Sequence, residues 1–317
     1  MASIPVDLFN PGQVFACLGF LEAADVLLGQ AEGGFDWRNE GDVHFEVRAA
    51  GDKNPFDVVL AFLAEAEIRR CVPKGCADPA EKKKKKRRRD AEREKGVDSL
   101  ASDAPELCET FPGPKGDAMA LPIRLVGSVD GQIRSLSVSH WADASSRNDF
   151  KLYAGNRSAA DIAWAMLRGT REKPKKGAEE GEMKTRGVYA LWKSSRKDLI
   201  SKPFDVLTPM RGSFNFDPRG AWTAIDAGYS PNDQKHAVSA SPVVEILAAV
   251  GCEYARPREY KRRRVRYAAW SGLVPPILAR AAFGGARIGI PVRTFRFALD
   301  LSGKNKVVTF AEEEMSA

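Results

Sequence analysis

The chain has 317 residues, of which 44% are hydrophobic, and a net charge of +7 at pH 7. That hydrophobic share excludes an unfolded chain and suffices for one large core or two smaller ones. The positive charge is concentrated: residues 81–95 and 254–270 carry +6 each, which leaves everything else net −5, and clustered cations of this kind attract polyanions through counterion release.

Residues 4–9 read as a short strand. Asn10 then offers an N-cap and Pro11 a first helical position. A helix is expected to about Gly29, with Val14, Phe15, Leu18, Leu21 and Val26 on a broad apolar face. Residues 42–48 alternate, Val43, Phe45 and Val47 facing inward. Asn54-Pro55 opens a second helix, expected to run through Arg70. Residues 72–116 read as one long solvated loop, expected to be disordered, rich in Pro, Gly, Ser and charge and without apolar period. Its centre is eight consecutive cations: Lys82, Lys83, Lys84, Lys85, Lys86, Arg87, Arg88 and Arg89. Such a run buries nothing and repels itself. It is either a solubilising insertion or an arm that grips phosphates.

A hairpin is expected from residues 121–126 and 135–140, turning at Asp130-Gly131. Residues 159–168 read as a helix, 171–185 as a charged linker and 188–192 as a short strand. Asp217-Pro218 and Ser241-Pro242 open two further helices, the first running past Asp226 with Asp217 as its N-cap. Residues 274–283 read as helical. Residues 290–301 form a strand paired with 306–310. Helices and strands mix without regular alternation, so the expected class is α+β, with short helices, a long basic insertion and no terminal bundle of long helices. The division expected is an N-terminal α+β region, 1–202, and a C-terminal one, 203–317. Residues 10–20 and 241–251 echo each other too faintly to be read as a repeat.

The second cluster holds Arg258, Lys261, Arg262, Arg263, Arg264 and Arg266, interleaved with Tyr254, Tyr260, Tyr267 and Trp270. Cations among aromatics suit a phosphate surface with stacking platforms. The competing reading is a charged strand edge that resists aggregation.

Other chemistry is sparse. No apolar run is read as long enough to cross a membrane, and residues 1–13 lack a signal peptide's basic and apolar regions. Of five cysteines, Cys17 and Cys252 fall in apolar helical stretches and read as core thiols. Cys71, Cys76 and Cys108 lack a fourth ligand at finger-like spacing, so no zinc is expected. A reduced, cytoplasmic protein fits. His44, His140 and His236 stand far apart, and no HExxH, GxSxG, phosphate-cradling or dinucleotide motif occurs. No catalytic residue, cofactor or metal is assigned.

Residues 6–29, VDLFNPGQVFACLGFLEAADVLLG, and 214–233, FNFDPRGAWTAIDAGYSPND, followed by SPVVEILAAVG, resemble the short large-subunit-like proteins of type I-U (now I-G) CRISPR systems. The likeness covers roughly 1–35 and 204–285. It implies a non-catalytic subunit of a Cascade-type effector that binds CRISPR RNA and target double-stranded DNA. Its partners would be backbone and guide-end-capping subunits and a recruited helicase-nuclease that does the cutting. Such a subunit reads a short motif flanking the target and helps open the duplex, while guide pairing carries the sequence specificity. The turn-like stretches that supply base-edge donors densely are Arg147, Asn148 and Lys151, then Asn156 and Arg157, then Arg211 and Asn215; turn and capping chemistry explains the same residues. A stand-alone RNA- or DNA-binding protein and an enzyme acting on a nucleotide or nucleic acid remain as alternatives.

Overall fold

Helix α1, Pro11–Leu28, forms because Asn10 is extended and its side chain accepts the Gln13 N–H at 3.2 Å while Pro11 occupies the first helical position. Its apolar residues do not form a stripe. Nearly every position is buried, so the helix runs through the core rather than along its rim. The segment is in fact long and apolar enough to cross a membrane, contrary to the sequence reading, but 83% of it is buried inside the protein.

The computed structural model describes residues 1–73, 106–108, 122–140, 150–153, 157–171, 183–210, 212–220, 238–302 and 305–314. These residues make an α+β protein. Strands β1 (Ala2–Pro5), β2 (Glu32–Asp36) and β3 (His44–Arg48) pair antiparallel in the order β1-β3-β2, with Phe45 and Val47 buried as the alternation requires. Helix α2, Pro55–Glu65, stops five residues short of expectation. The Arg168 guanidinium donates to the Ala64, Glu65 and Ala66 carbonyls and closes that end, and residues 67–73 continue as strand β4, Glu67–Pro73.

The stretch expected to be one loop is entered and interrupted by strands. β4 pairs in parallel with β5, Glu106–Cys108, and antiparallel with β6, Ile123–Val129. β6 and β7, Gln132–Val138, form the expected hairpin, with Asp130 and Gly131 both at positive φ, 51° and 76°. The eight-cation run lies outside the described residues. Helix α3, Ala159–Arg168, carries a capping box from Ser158 and Asp161. β8, Thr170–Arg171, and β9, Met183–Thr185, pair with each other, so the ends of the expected linker are strands.

Residues 188–192 are not a strand. They begin helix α4, Val188–Ser201, which buries Val188, Leu191, Trp192 and Leu199 at helical spacing; the β-branched and aromatic start had suggested a strand, and packing overrides it. β10, Thr208–Pro209, and β11, Ser239–Ala240, form a short pair. Asp217 caps a 3-10 turn, Pro218–Gly220, and the rest of the expected helix, Asp226 included, lies outside the described residues.

Helix α5, Pro242–Tyr254, is capped by Ser241 and lies against α1. The approach is closest at glycines: a Cβ on Gly19 would overlap the Leu247 carbonyl oxygen, and one on Gly251 the Phe15 carbonyl oxygen. The last sheet contains β12 (Arg258–Lys261), β13 (Arg264–Trp270), β14 (Val292–Ser302) and β15 (Asn305–Val308), with β16 (Glu312–Glu313) pairing on β14. Helix α6, Pro276–Phe283, packs against it. Gly33 and Val274 exchange backbone hydrogen bonds of 3.0 and 3.1 Å, and Trp270 Nε1 donates to the Gly33 carbonyl at 2.8 Å, so the first and last sheets join. Buried residues from both 1–202 and 203–317 belong to one core.

Candidate nucleic-acid interface

The arginine cluster is a β-hairpin. β12 and β13 pair antiparallel, with Lys261 opposite Arg264 and Arg262-Arg263 at the turn. Val265 and Tyr267 point into the core. The Tyr267 ring stacks on Phe295 at 5.4 Å and its hydroxyl donates to the Leu8 carbonyl at 2.6 Å. With one face anchored, the alternation of a strand sends Arg264 and Arg266 to the opposite face. The turn is pinned from two sides. The Arg263 N–H donates to Glu259 Oε1 at 2.6 Å, and the Arg263 carbonyl accepts the Leu299 N–H at 2.9 Å.

Arg258, Lys261, Arg262, Arg263 and Arg264 are exposed, and none of them forms an ion pair among the described residues. Arg266 is half-buried, lies 4.7 Å from the Tyr260 ring centre and pairs with Glu314 at 2.7 Å. The expected stacking platforms are mostly absent: Tyr267 and Trp270 are 1% and 0% exposed, and Tyr254 lies half-buried against the Arg280 guanidinium. The inward alternation that anchors the hairpin takes Tyr267 out of reach of solvent. Tyr260 stays available.

The second set of expected contacts is divided. Arg147, Asn148, Asn156 and Arg211 lie outside the described residues. Lys151, Arg157 and Asn215 are described, and β15 gathers the first and last of them. The Leu152 carbonyl accepts the Lys306 N–H at 2.8 Å, and the Asn215 carbonyl accepts the Val308 N–H at 3.3 Å. Val308 is opposite Leu299, which bonds to Arg263. A lateral row therefore runs Arg263–Leu299–Val308–Asn215, about 14 Å for three strand spacings. Asn215 itself sits at φ 69°, and its side chain meets Ser213 at 3.1 Å; that is turn chemistry. Arg157 is exposed and packs against Gly212.

The segments that carry the family resemblance converge on a buried polar hub. Asp217 accepts from Asn10 Nδ2 at 3.3 Å, from the Ser241 N–H at 3.0 Å and from Arg219 Nη2 at 2.7 Å, while its own N–H donates to Glu245 Oε1 at 2.8 Å. The caps of α1 and α5 are thus tied through one carboxylate. Burial pushes the Glu245 carboxyl up to about 8, and the nearby Asp217 charge adds to the rise. Burial lowers His140 to about 3, helped by the Arg256 charge, so its imidazole is neutral. Cys17 and Cys252 are buried thiols raised by desolvation. These groups hold the fold and present no reactive face to solvent. A separate open cavity of about 360 Å³ lies between Gln30 and Pro276, lined by Asp25, Glu32 and Arg280.

Sequence reasoning missed Arg296, which stands directly opposite Arg266, and the acidic strand beside it. Pairing register carries that information, and no single-strand pattern encodes it. No family model, curated protein or solved structure matches this chain.

Proposed function

We propose that this chain is a non-catalytic, cytoplasmic nucleic-acid-binding subunit of a type I, I-G-like, CRISPR RNA-guided surveillance complex. In that reading it grips target DNA and CRISPR RNA beside backbone and guide-end-capping subunits. It assists flanking-motif (PAM) recognition and R-loop opening before a separate helicase-nuclease is recruited.

The observation that carries the reading is the hairpin: five exposed cations without ion pairs among the described residues, along β12, its turn and the start of β13, with the turn pinned by two hydrogen bonds. Rigid display of unpaired cations is what a phosphate contact needs. Edge protection accounts for Arg258 and Lys261, because β12 is the sheet edge. It does not account for Arg264 and Arg266, which are on an interior strand. The convergence of Asn10, Asp217 and Ser241 in one hub supports treating the resembling segments as a single structural unit.

Arg262, Arg263 and Arg264 changed together to Gln test the proposal. Duplex binding should lose about 2–3 units of its log K against log salt slope, at about 0.9 per phosphate contact. Expressed beside its genomic neighbours, the wild-type chain should elute with other subunits and a guide RNA of uniform length. An unchanged slope refutes the interface. A lost slope with elution as a lone protein supports a stand-alone nucleic-acid binder instead.

A further inference from the structure

Across the last sheet, opposite residues share a face. Arg258 is opposite Arg266, Arg266 is opposite Arg296, and Arg296 is opposite Glu312. Three arginines thus stand in one row with neighbouring Cβ atoms about 5 Å apart. Like charges directly opposite each other destabilise a sheet, so a row of three calls for anions.

The chain supplies them itself. Glu314 pairs with Arg266 at 2.7 Å and Glu312 with Arg296 at 3.1 Å. The residue between them behaves differently: Glu313 faces the other side, pairs with Arg293 at 2.7 Å, and that guanidinium lies 5.8 Å from the Trp37 ring centre. Backbone bonds from Ala311 to Phe9 and from Glu314 to Thr294, each 2.8 Å, hold the segment down. One glutamate is therefore an anchor, and its two neighbours lie over the arginine row.

Resting on the nucleic-acid reading above, we infer that the Arg258–Arg266–Arg296 row is a second phosphate-binding track, which takes the backbone of a single-stranded nucleic acid, and that Glu312 and Glu314 occupy it as a built-in competitor. Single strand is favoured because Tyr260, exposed and stacked on Arg266, gives a base a surface beside the row. Glu312 is the more readily displaced carboxylate, and Glu314, on Arg266, is the more sheltered. Both sides of the Arg296–Glu312 pair are more than half exposed, and exposed ion pairs are weak and salt-screened. β16 pairs with β14 through two residues only.

The test uses the full chain and a fluorescent oligodeoxythymidine strand, with anisotropy followed across salt. E312Q/E314Q keeps the Glu313 anchor and frees two arginines. Its salt slope should steepen by about 1.4 units, at about 0.7 per phosphate on a single strand. Its affinity should then fall about sevenfold more than wild type's between 50 and 200 mM salt. Adding Arg296→Gln should take back about half of the steepening. The single variant E312Q, at an exposed pair, guards against a folding defect and should give about half the effect.

If wild type binds through the hairpin and E312Q/E314Q binds with the same slope, the competitor role is wrong while the interface stands. If neither binds the strand, the track is wrong, and the duplex assay on the hairpin variant decides the interface separately. A steeper slope on a duplex but not on the single strand overturns the assignment of the track.

Discussion

The buried Glu245 carboxyl predicts an unusual pH dependence of stability. Its value is pushed to about 8 in the folded protein from an ordinary 4.5. Between those values the unfolded chain has released the proton and the folded chain keeps it, so stability falls as pH rises, by about 1.4 kcal/mol per unit. The accumulated loss is about 3 kcal/mol at pH 7 and about 5 kcal/mol above pH 8, a large share of a typical folding free energy. His140 works in the opposite sense. Lowered to about 3 from 6.5, it is neutral when folded and protonated when unfolded across that window, so stability rises with pH up to 6.5. The two slopes cancel between about pH 4.5 and 6.5 and leave a plateau. From 6.5 to 8 the His140 slope has ended and the Glu245 slope remains, so the protein should weaken steadily. Glu245→Gln removes that limb. The amide leaves Oε1 to accept the Asp217 N–H and puts its NH2 at the position of Oε2, which has no partner and where the neutral acid already buries its O–H. The extra amide hydrogen costs at most about 1–3 kcal/mol, equally at every pH where the acid stays neutral. The absolute stability is therefore uninformative and the shape of the profile is the readout. Urea unfolding followed by tryptophan fluorescence, repeated from pH 4.5 to 9, should give a wild-type curve that falls above 6.5 and a variant curve that does not. Parallel curves over pH 6.5–8 would refute the protonated-acid account.

Gly19→Ala places a methyl group into the Leu247 carbonyl at the α1–α5 contact; backbone cannot turn aside, so thermal unfolding should show a loss of about 3 kcal/mol or more. Tyr267→Phe removes the bond to the Leu8 carbonyl and leaves that oxygen buried, so urea unfolding should show a loss of about 1–3 kcal/mol. Arg263 holds φ 58°, a region that favours glycine; Arg263→Gly should leave stability unchanged or raise it by up to about 1 kcal/mol, while flattening the salt slope of duplex binding by about 0.9.

The legible parts of the fold are those governed by local chemistry. The cap-and-proline pairs Asn10-Pro11, Asn54-Pro55 and Ser241-Pro242 each start a helix at the expected residue, because the cap bond involves only neighbours. The Asp130-Gly131 turn succeeds for the same reason. Failures occur where distant groups decide. α2 ends at a guanidinium a hundred residues away in sequence. Residues 188–192 become helical because the core takes Val188, Leu191 and Trp192 from one side. Asp217 is legible only as a cap; that its carboxylate also ties together Asn10, Arg219 and Ser241 is set by residues distant in sequence.

The candidate site follows the same division. Charge clustering pointed to residues 258–266 and could go no further, since charge carries no register. Pairing turns that list into two sets. At the tip, Lys261, Arg262, Arg263 and Arg264 reach solvent without anionic partners among the described residues. On the outer face, Arg258 and Arg266 join Arg296 in a row. The first set is open and the second is partly occupied by glutamates. The conformation of Arg263 argues for the weight of the charge itself. A β-carbon in the left-handed region costs about 1–2 kcal/mol of steric energy, of which glycine's larger entropy loss on folding takes back about 0.5–1 kcal/mol, so the turn keeps a cation at a cost of up to about 1 kcal/mol of stability. Local backbone preference and charge disagree at that residue, and such disagreement is expected where a residue serves binding more than folding.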